Sequence, residues 1–215
     1  RKGIDFTEDE DGVIKFDSSK PFITDPITIK MEERFRDTMN VYGDQPLIWI
    51  DRFFSNQRFD HSYRLKKDCL LDEATIMSNN QNIKIITPAQ YGLSSFAWHF
   101  ILKLWKERKE FCVYIDGGLI KKAAVTKNIN SQLSVFNVKQ EDVKRIIIDN
   151  WTLSNKDSKQ ILATITQDYP QIPILILCPM LEKTLLETEN MTTSEFNFSI
   201  LYMAPLQTCQ IRSIV

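Results

Sequence analysis

Two short segments carry residue types that do chemistry with phosphate groups. The first is Thr87-Pro-Ala-Gln-Tyr-Gly92-Leu93-Ser94-Ser95, which follows the apolar run Ile83-Lys-Ile-Ile86 and precedes a helix-like stretch. A strand, a tight glycine loop and a helix make an anion cradle, because the first helical amides have no intrahelical acceptor and point outward. Against the pattern G-x-x-x-x-G-K-[ST], Thr87 stands at the first glycine, Gly92 at the second, Leu93 at the lysine and Ser94 at the hydroxyl. Gly92 suits the left-handed turn the loop requires. Ser94 offers an oxygen to Mg²⁺, and Ser95 a cap or a phosphate contact. Leu93 removes the point charge that would meet the β- and γ-phosphates, so triphosphate affinity should fall and hydrolysis should fall further.

The second segment is Arg145-Ile-Ile-Ile-Asp149-Asn150-Trp151, an apolar strand closed by a carboxylate. An Asp in that position holds Mg²⁺ directly or through water. The following residue would polarise an attacking water if it were acidic, whereas Asn150 has no basic group. The metal pair expected from sequence is therefore Ser94 and Asp149, with no catalytic residue. The plainer readings are that Gly92 and Ser94 only begin a helix and that Asp149 only caps a loop.

Other candidates are weaker. Lys121 and Lys122 follow a further strand and read as solvated surface lysines that supply a phosphate contact only in an active-enzyme reading. His61 and His99 are the two histidines and have no partner at metal spacing. No Ser-His-Asp, Cys-His or paired-carboxylate constellation stands out. Cys112 and Cys178 lie in apolar runs and read as buried hydrophobes, and the four cysteines are too far apart for a metal knuckle, which fits a reducing cytosol.

The elements that must position the two segments recur along the chain. Residues 1–45 are mixed and polar, with Glu8-Asp-Glu-Asp11, Pro21 and Pro26 arguing against a packed core, and read as a linker or the tail of a preceding domain. A short helix is expected over 29–39 and a strand over 46–51. Then strands are expected at 83–86, 111–115, 145–148, 172–177 and 196–203. Helices are expected at 68–78, 92–108, 119–133, 156–167, 179–187 and from 206 onward. The strands are continuous apolar runs, the mark of strands covered on both faces. Alternation with helices then predicts an α/β fold: a three-layer, P-loop NTPase-like domain with a mostly parallel sheet and helices on both faces. Ligands in such sheets sit at the carboxyl ends of the strands. A net charge of −1 gives no indication of direct nucleic-acid binding, and no apolar run is long enough to span a membrane.

The ordered set of segments, Ile-Ile-Thr-Pro-Ala-Gln-Tyr-Gly-Leu-Ser-Ser (85–95), Val-Tyr-Ile-Asp-Gly (113–117), Ile-Ile-Ile-Asp-Asn-Trp (146–151), Ile-Pro-Ile-Leu-Ile-Leu (172–177) and Leu-Tyr-Met-Ala-Pro-Leu-Gln-Thr-Cys-Gln-Ile-Arg (201–212), resembles the core of STAND, or NACHT-like, signalling ATPases. The resemblance covers about residues 46–215, as a core truncated at its C-terminus, and rests on strand order more than on identity. It implies a cytoplasmic module that binds ATP or ADP with Mg²⁺, self-associates, and couples a sensor to an effector within a longer chain or complex, in bacterial antiphage defence. It also implies that Pro205 lies near the nucleotide base. Leu93, Thr87 and Asn150 depart from the family pattern, so the expectation is weak binding with weak or no ATP hydrolysis. The alternative is a pseudo-NTPase scaffold that assembles with other proteins without nucleotide.

Overall fold

The computed structural model describes residues 5–8, 14–17, 25–41, 48–58, 70–88, 90–152, 157–180 and 196–206. In chain order the elements are β1 (Asp5–Glu8), β2 (Ile14–Asp17), α1 (Pro26–Met39), β3 (Phe54–Ser55), α2 (Glu73–Ser78), β4 (Ile83–Pro88) and α3 (Leu93–Arg108). They continue with β5 (Phe111–Asp116), α4 (Val125–Phe136), β6 (Val143–Asp149), α5 (Ser158–Asp168), β7 (Ile174–Met180) and β8 (Ser199–Met203). Strands β1 and β2 pair antiparallel, and the other six form one sheet in the order β3-β8-β4-β7-β6-β5. All of its pairings are parallel except the short β3 on the edge beside β8. The fold is α/β with a mostly parallel sheet, as the continuous apolar runs predicted.

The order places β7 between the loop-bearing strand β4 and the Asp149 strand β6. Right-handed crossovers send α3, which connects β4 to β5, over one face, and α4 and α5, which step back toward β7, over the other. Register agrees. Ile85 pairs with Leu177, Ile147 with Leu175 and Tyr114 with Ile147, so these side chains share one face with Thr87 and Asp149. Arg145, two residues before Ile147, has its guanidinium 5.6 Å from the Phe100 ring on α3, which identifies that face as the α3 face. Phe96, Phe100 and Leu104 on α3 recur every four residues and are buried against it.

The helix expected over 29–39 forms as α1, but it does not lie outside a packed core. Asp25 caps it by accepting from Ile27 N at 3.0 Å, Pro26 fills the first turn, and Asn40 ends it at φ 52°. Met31 and Phe35, four residues apart, are buried in the same core as α3. The Trp105 indole donates to Asp25 at 2.7 Å, and Ser95 Oγ donates to the Thr38 carbonyl at 3.1 Å. These bonds fix α1 antiparallel to α3, with its last turn beside the first turn of α3.

Two other expectations are corrected. The strand expected over 46–51 is absent from Ile48–Ile50, which are irregular, and the edge strand is β3 instead. The local reason is Trp49: its ring stacks on His99 at 4.2 Å, so this stretch is held by side chains rather than by a backbone ladder. The helix expected over 119–133 begins later, after a 3-10 turn at Lys122–Ala124. The helix expected over 179–187 does not start where expected, because Pro179 and Met180 continue β7; its remaining positions, and the helix expected from 206 beyond its first residue, lie outside the described residues. Cys112 and Cys178 are free and buried, and burial pushes the Cys112 thiol up to about 12, which fits an inert core residue. Among the described residues no helix is long and apolar enough to cross a membrane.

One buried carboxylate ties these parts together. Glu73, the first residue of α2, is 2% exposed. Its Oε1 accepts from Trp49 Nε1 at 3.0 Å and Arg52 N at 2.7 Å, and its Oε2 accepts from His99 Nε2 at 3.1 Å. Burial raises its pKa, but the bonds from His99, Arg52 and Trp49 outweigh burial and hold it below the usual carboxylate range. A depressed folded value means that this stabilisation is present above the unfolded glutamate pKa and is lost as pH falls through the folded value. Glu73→Gln should therefore lower the unfolding free energy at pH 7 by about 1.5–3 kcal/mol, the range for hydrogen bonds to a charged group. Urea unfolding at pH 7 and below pH 4 checks this: the gap between variant and parent should close at acidic pH.

Candidate functional site

Gly92 is the N-cap of α3, in the left-handed conformation with φ 77° and ψ 38°. A side chain there would be strained by its backbone, which is the physical reason for glycine. The helix that follows is 16 residues long, so its N-terminus carries a developed dipole and free amides. The loop residues Gln90 to Ser95 line a hollow of about 400 Å³ together with Thr38, Asn150 and Pro179. That volume lies at the lower end of the range for small-ligand sites. The hollow sits at the carboxyl ends of β4, β7 and β6, where opposite-going crossovers open a crevice.

Ser94 and Asp149 come together across this crevice. Asp149 is fully buried; its carboxylate accepts from Tyr114 Oη at 2.9 Å and from Asn150 N at 2.8 Å, and the Ser94 hydroxyl stands near enough to lower its pKa. Tyr114 projects from β5 on the same face and packs on Trp98 of α3, ring centroids 4.8 Å apart. Burial, then the Asp149 charge, pushes the Tyr114 phenol well above its usual range, so it remains a donor. Burial also raises the Asp149 pKa, Ser94 and the bonds from Tyr114 and Asn150 oppose the rise, and Asp116 adds to it.

The remaining expected residues are distributed unevenly. Thr87, one residue before the end of β4, lies on the α3 face, 1% exposed; its hydroxyl has no hydrogen-bond partner, and it does not line the hollow. Leu93 turns inward and joins the core, so the lysine position is occupied by a packing residue. Ser95 lines the hollow, but its hydroxyl is engaged by the Thr38 carbonyl. Pro205 is exposed just beyond β8 and does not line the hollow. Lys121 and Lys122 are exposed after β5, at the opposite edge of the sheet from β3. Asn150 lies in the hollow at φ 52°, a left-handed position that asparagine tolerates better than most residues.

The Ser94–Asp149 pair is the place where Mg²⁺ would be held. Each Asp149 oxygen accepts one hydrogen bond, which orients the carboxylate and takes one of its two acceptor positions, so a divalent ion would have to share Asp149 with Tyr114 and the Asn150 N–H. Sequence reasoning missed Tyr114, Thr38, Glu73 and Arg52, which act on the loop from 20 to more than 50 positions away in the chain. The only local signal was Tyr114 in the run 113–117, and nothing there distinguished it from a packing tyrosine.

No family model matches this chain, and no curated protein matches it. Among solved structures it is similar to the DnaC helicase loader at 11% identity, over 58% of this chain and 80% of that chain, with a TM-score of 0.35. The functional reading rests on the site itself.

The raised Asp149 pKa has a definite sign. A group whose folded value exceeds its unfolded value contributes stability that is present at low pH and lost as pH rises through the folded value. Asp149→Asn keeps the shape and removes the buried charge. Its amide nitrogen faces one of the two donors, so the sign shows in the trend: the variant should gain on the parent by on the order of 1 kcal/mol as pH rises from 4 to 8. The gain should shrink below pH 4, where the parent also carries a neutral group, and denaturant unfolding across that range measures it.

Proposed function

We propose that this chain is a nucleotide-binding module that holds ADP or ATP weakly at the start of α3 and does not hydrolyse ATP at a useful rate. The observation that carries the reading is the left-handed Gly92 opening a long helix onto a hollow shared with Asn150, beside the Ser94–Asp149 pair. Free helix amides attract phosphate whatever the side chains are. Slow hydrolysis follows from Leu93 being in the core and from Asn150 standing where a base would polarise water. Gly92, Ser94 and Ser95 would border the phosphates, and Mg²⁺ would be dispensable for binding. The sensor-to-effector role, self-association and antiphage setting implied by the STAND resemblance belong to the same proposal and are supported by the ordered motifs of residues 85–212 alone.

A second reading is a scaffold that uses the fold without nucleotide. It is favoured by the hydrogen bonds already made to Asp149 and by Leu93 packing inward. Thermal unfolding with ADP or ATP, in Mg²⁺ and in EDTA, separates the two. Nucleotide binding predicts stabilisation by about 1.4 kcal/mol at ten times the dissociation constant, nearly equal in both buffers, with phosphate release no faster than in Ser94→Ala. Absence of any shift at millimolar nucleotide would leave the scaffold reading.

A further inference from the structure

We infer that Arg52 is the cation of this site, meeting the terminal phosphate of a nucleoside di- or triphosphate in place of the lysine that Leu93 displaces. The inference rests on the phosphate-site reading above and deepens it.

Arg52 lies just before β3 on the edge of the sheet. Ala204 N donates to Phe53 O at 2.8 Å, which sets Arg52 level with the residues that follow β8, at the carboxyl end. Its guanidinium borders the loop: a Cβ built on Gly92 would stand 3.7 Å from Arg52 Nη2. The guanidinium thus lies in ordinary contact distance of the loop backbone at Gly92. In sheet order Arg52 comes from the β3 side of β4 and Asp149 from the β6 side, so an anion at the loop stands between the guanidinium and the buried carboxylate.

The side chain is placed, and its charge is partly balanced by Glu73 without a direct ion pair. Glu73 holds the Arg52 backbone N–H at 2.7 Å, and the guanidinium lies 5.5 Å from the Trp49 ring centre. None of the ion pairs among the described residues involves Arg52, and its buried Nε has no hydrogen-bond partner. The Thr87 hydroxyl, at the strand end from which the loop departs, is likewise buried and unpartnered. Buried donors without acceptors are uncommon in native proteins. Two of them at one glycine loop ask for the same complement, a group with several acceptor oxygens. A guanidinium fork recognises phosphate oxygens in pairs. Arg145 Nη1 is also buried without a partner, but Arg145 and Arg108 each donate to a backbone carbonyl, of Asn79 and Met77, away from the loop.

The test is calorimetric titration of the full chain with ADP in EDTA, at low and at moderate salt, for the parent, Arg52→Lys, Arg52→Gln and Arg52→Met. The last keeps an apolar stem over Trp49 without charge, and circular dichroism checks each fold. The expected result is a loss of roughly tenfold or more in ADP affinity for the neutral variants, an intermediate affinity for Arg52→Lys, and a shallower salt dependence once the charge is gone. Parent-like ADP binding by a folded neutral variant would overturn the role of Arg52 and leave the phosphate site standing. Equal weakening by Arg52→Lys and the neutral variants, with unchanged salt dependence, would assign Arg52 a packing role and also overturn it. No ADP binding by the parent would remove the site and this inference together.

Discussion

The arrangement depends on one buried carboxylate met by donors from three directions. Asp149 closes β6, yet it is approached from α3 by Ser94, and tied to β5 through Tyr114 and to its own loop through Asn150 N. Because β7 lies between β4 and β6, no backbone ladder joins the glycine loop to the Asp149 strand. The approach of the Ser94 hydroxyl to Asp149 spans that gap at the first turn of α3. The bonds from Tyr114 and Asn150 N fix the orientation of the Asp149 carboxylate toward the crevice.

Glu73 is the counterpart at the other side of the loop. Both carboxylates are buried, but their environments drive them in opposite directions: donors outweigh burial at Glu73, whereas burial outweighs donors at Asp149. The difference follows from partner charge and placement. His99 and Lys103 stand beside Glu73, with Lys103 Nζ at 3.7 Å, while the neighbouring charge at Asp149 is the like-signed Asp116. Glu73 therefore acts as a fixed anchor for the segment that carries Arg52. Asp149 is the group whose charge is costly where it sits.

The sheet was legible in the sequence because its signal is local. Runs such as Ile146-Ile-Ile148 and Ile174-Leu-Ile-Leu177 are apolar at every position, as strands covered on both faces must be, and they occur in β6 and β7. Gly92 and Asp149 were legible for the same reason, each marking the end of such a run. The residues that complete the site were not. Arg52 reaches Gly92 from 40 positions upstream, and Thr38 reaches Ser95 from 57. Neither lies in a periodic pattern that points to the loop. The apolar run 46–51 misled because apolarity alone does not separate a strand from a stretch packed by one large ring: Trp49 takes a stack on His99 where a ladder was expected. Residues 25–39 misled in the opposite sense, since their charges mask the four-residue spacing of Met31 and Phe35 that buries α1.

The position of the lysine explains why such a loop would recruit a cation from elsewhere. Leu93 sits in the first turn of α3 with its side chain 8% exposed, packed into the core. A lysine there would have to leave that core contact to meet a phosphate, or be buried at the cost of its charge. Once the first turn is committed to packing, a cation for the anion must come from a neighbouring element that ends at the same level of the sheet. The edge strand β3 runs antiparallel to β8 and therefore enters the sheet at its carboxyl end, where every parallel strand finishes. That reversed edge brings the stretch before β3, and Arg52 with it, to the mouth of the crevice, a location that a strand parallel to the rest would have given to the residues after it instead.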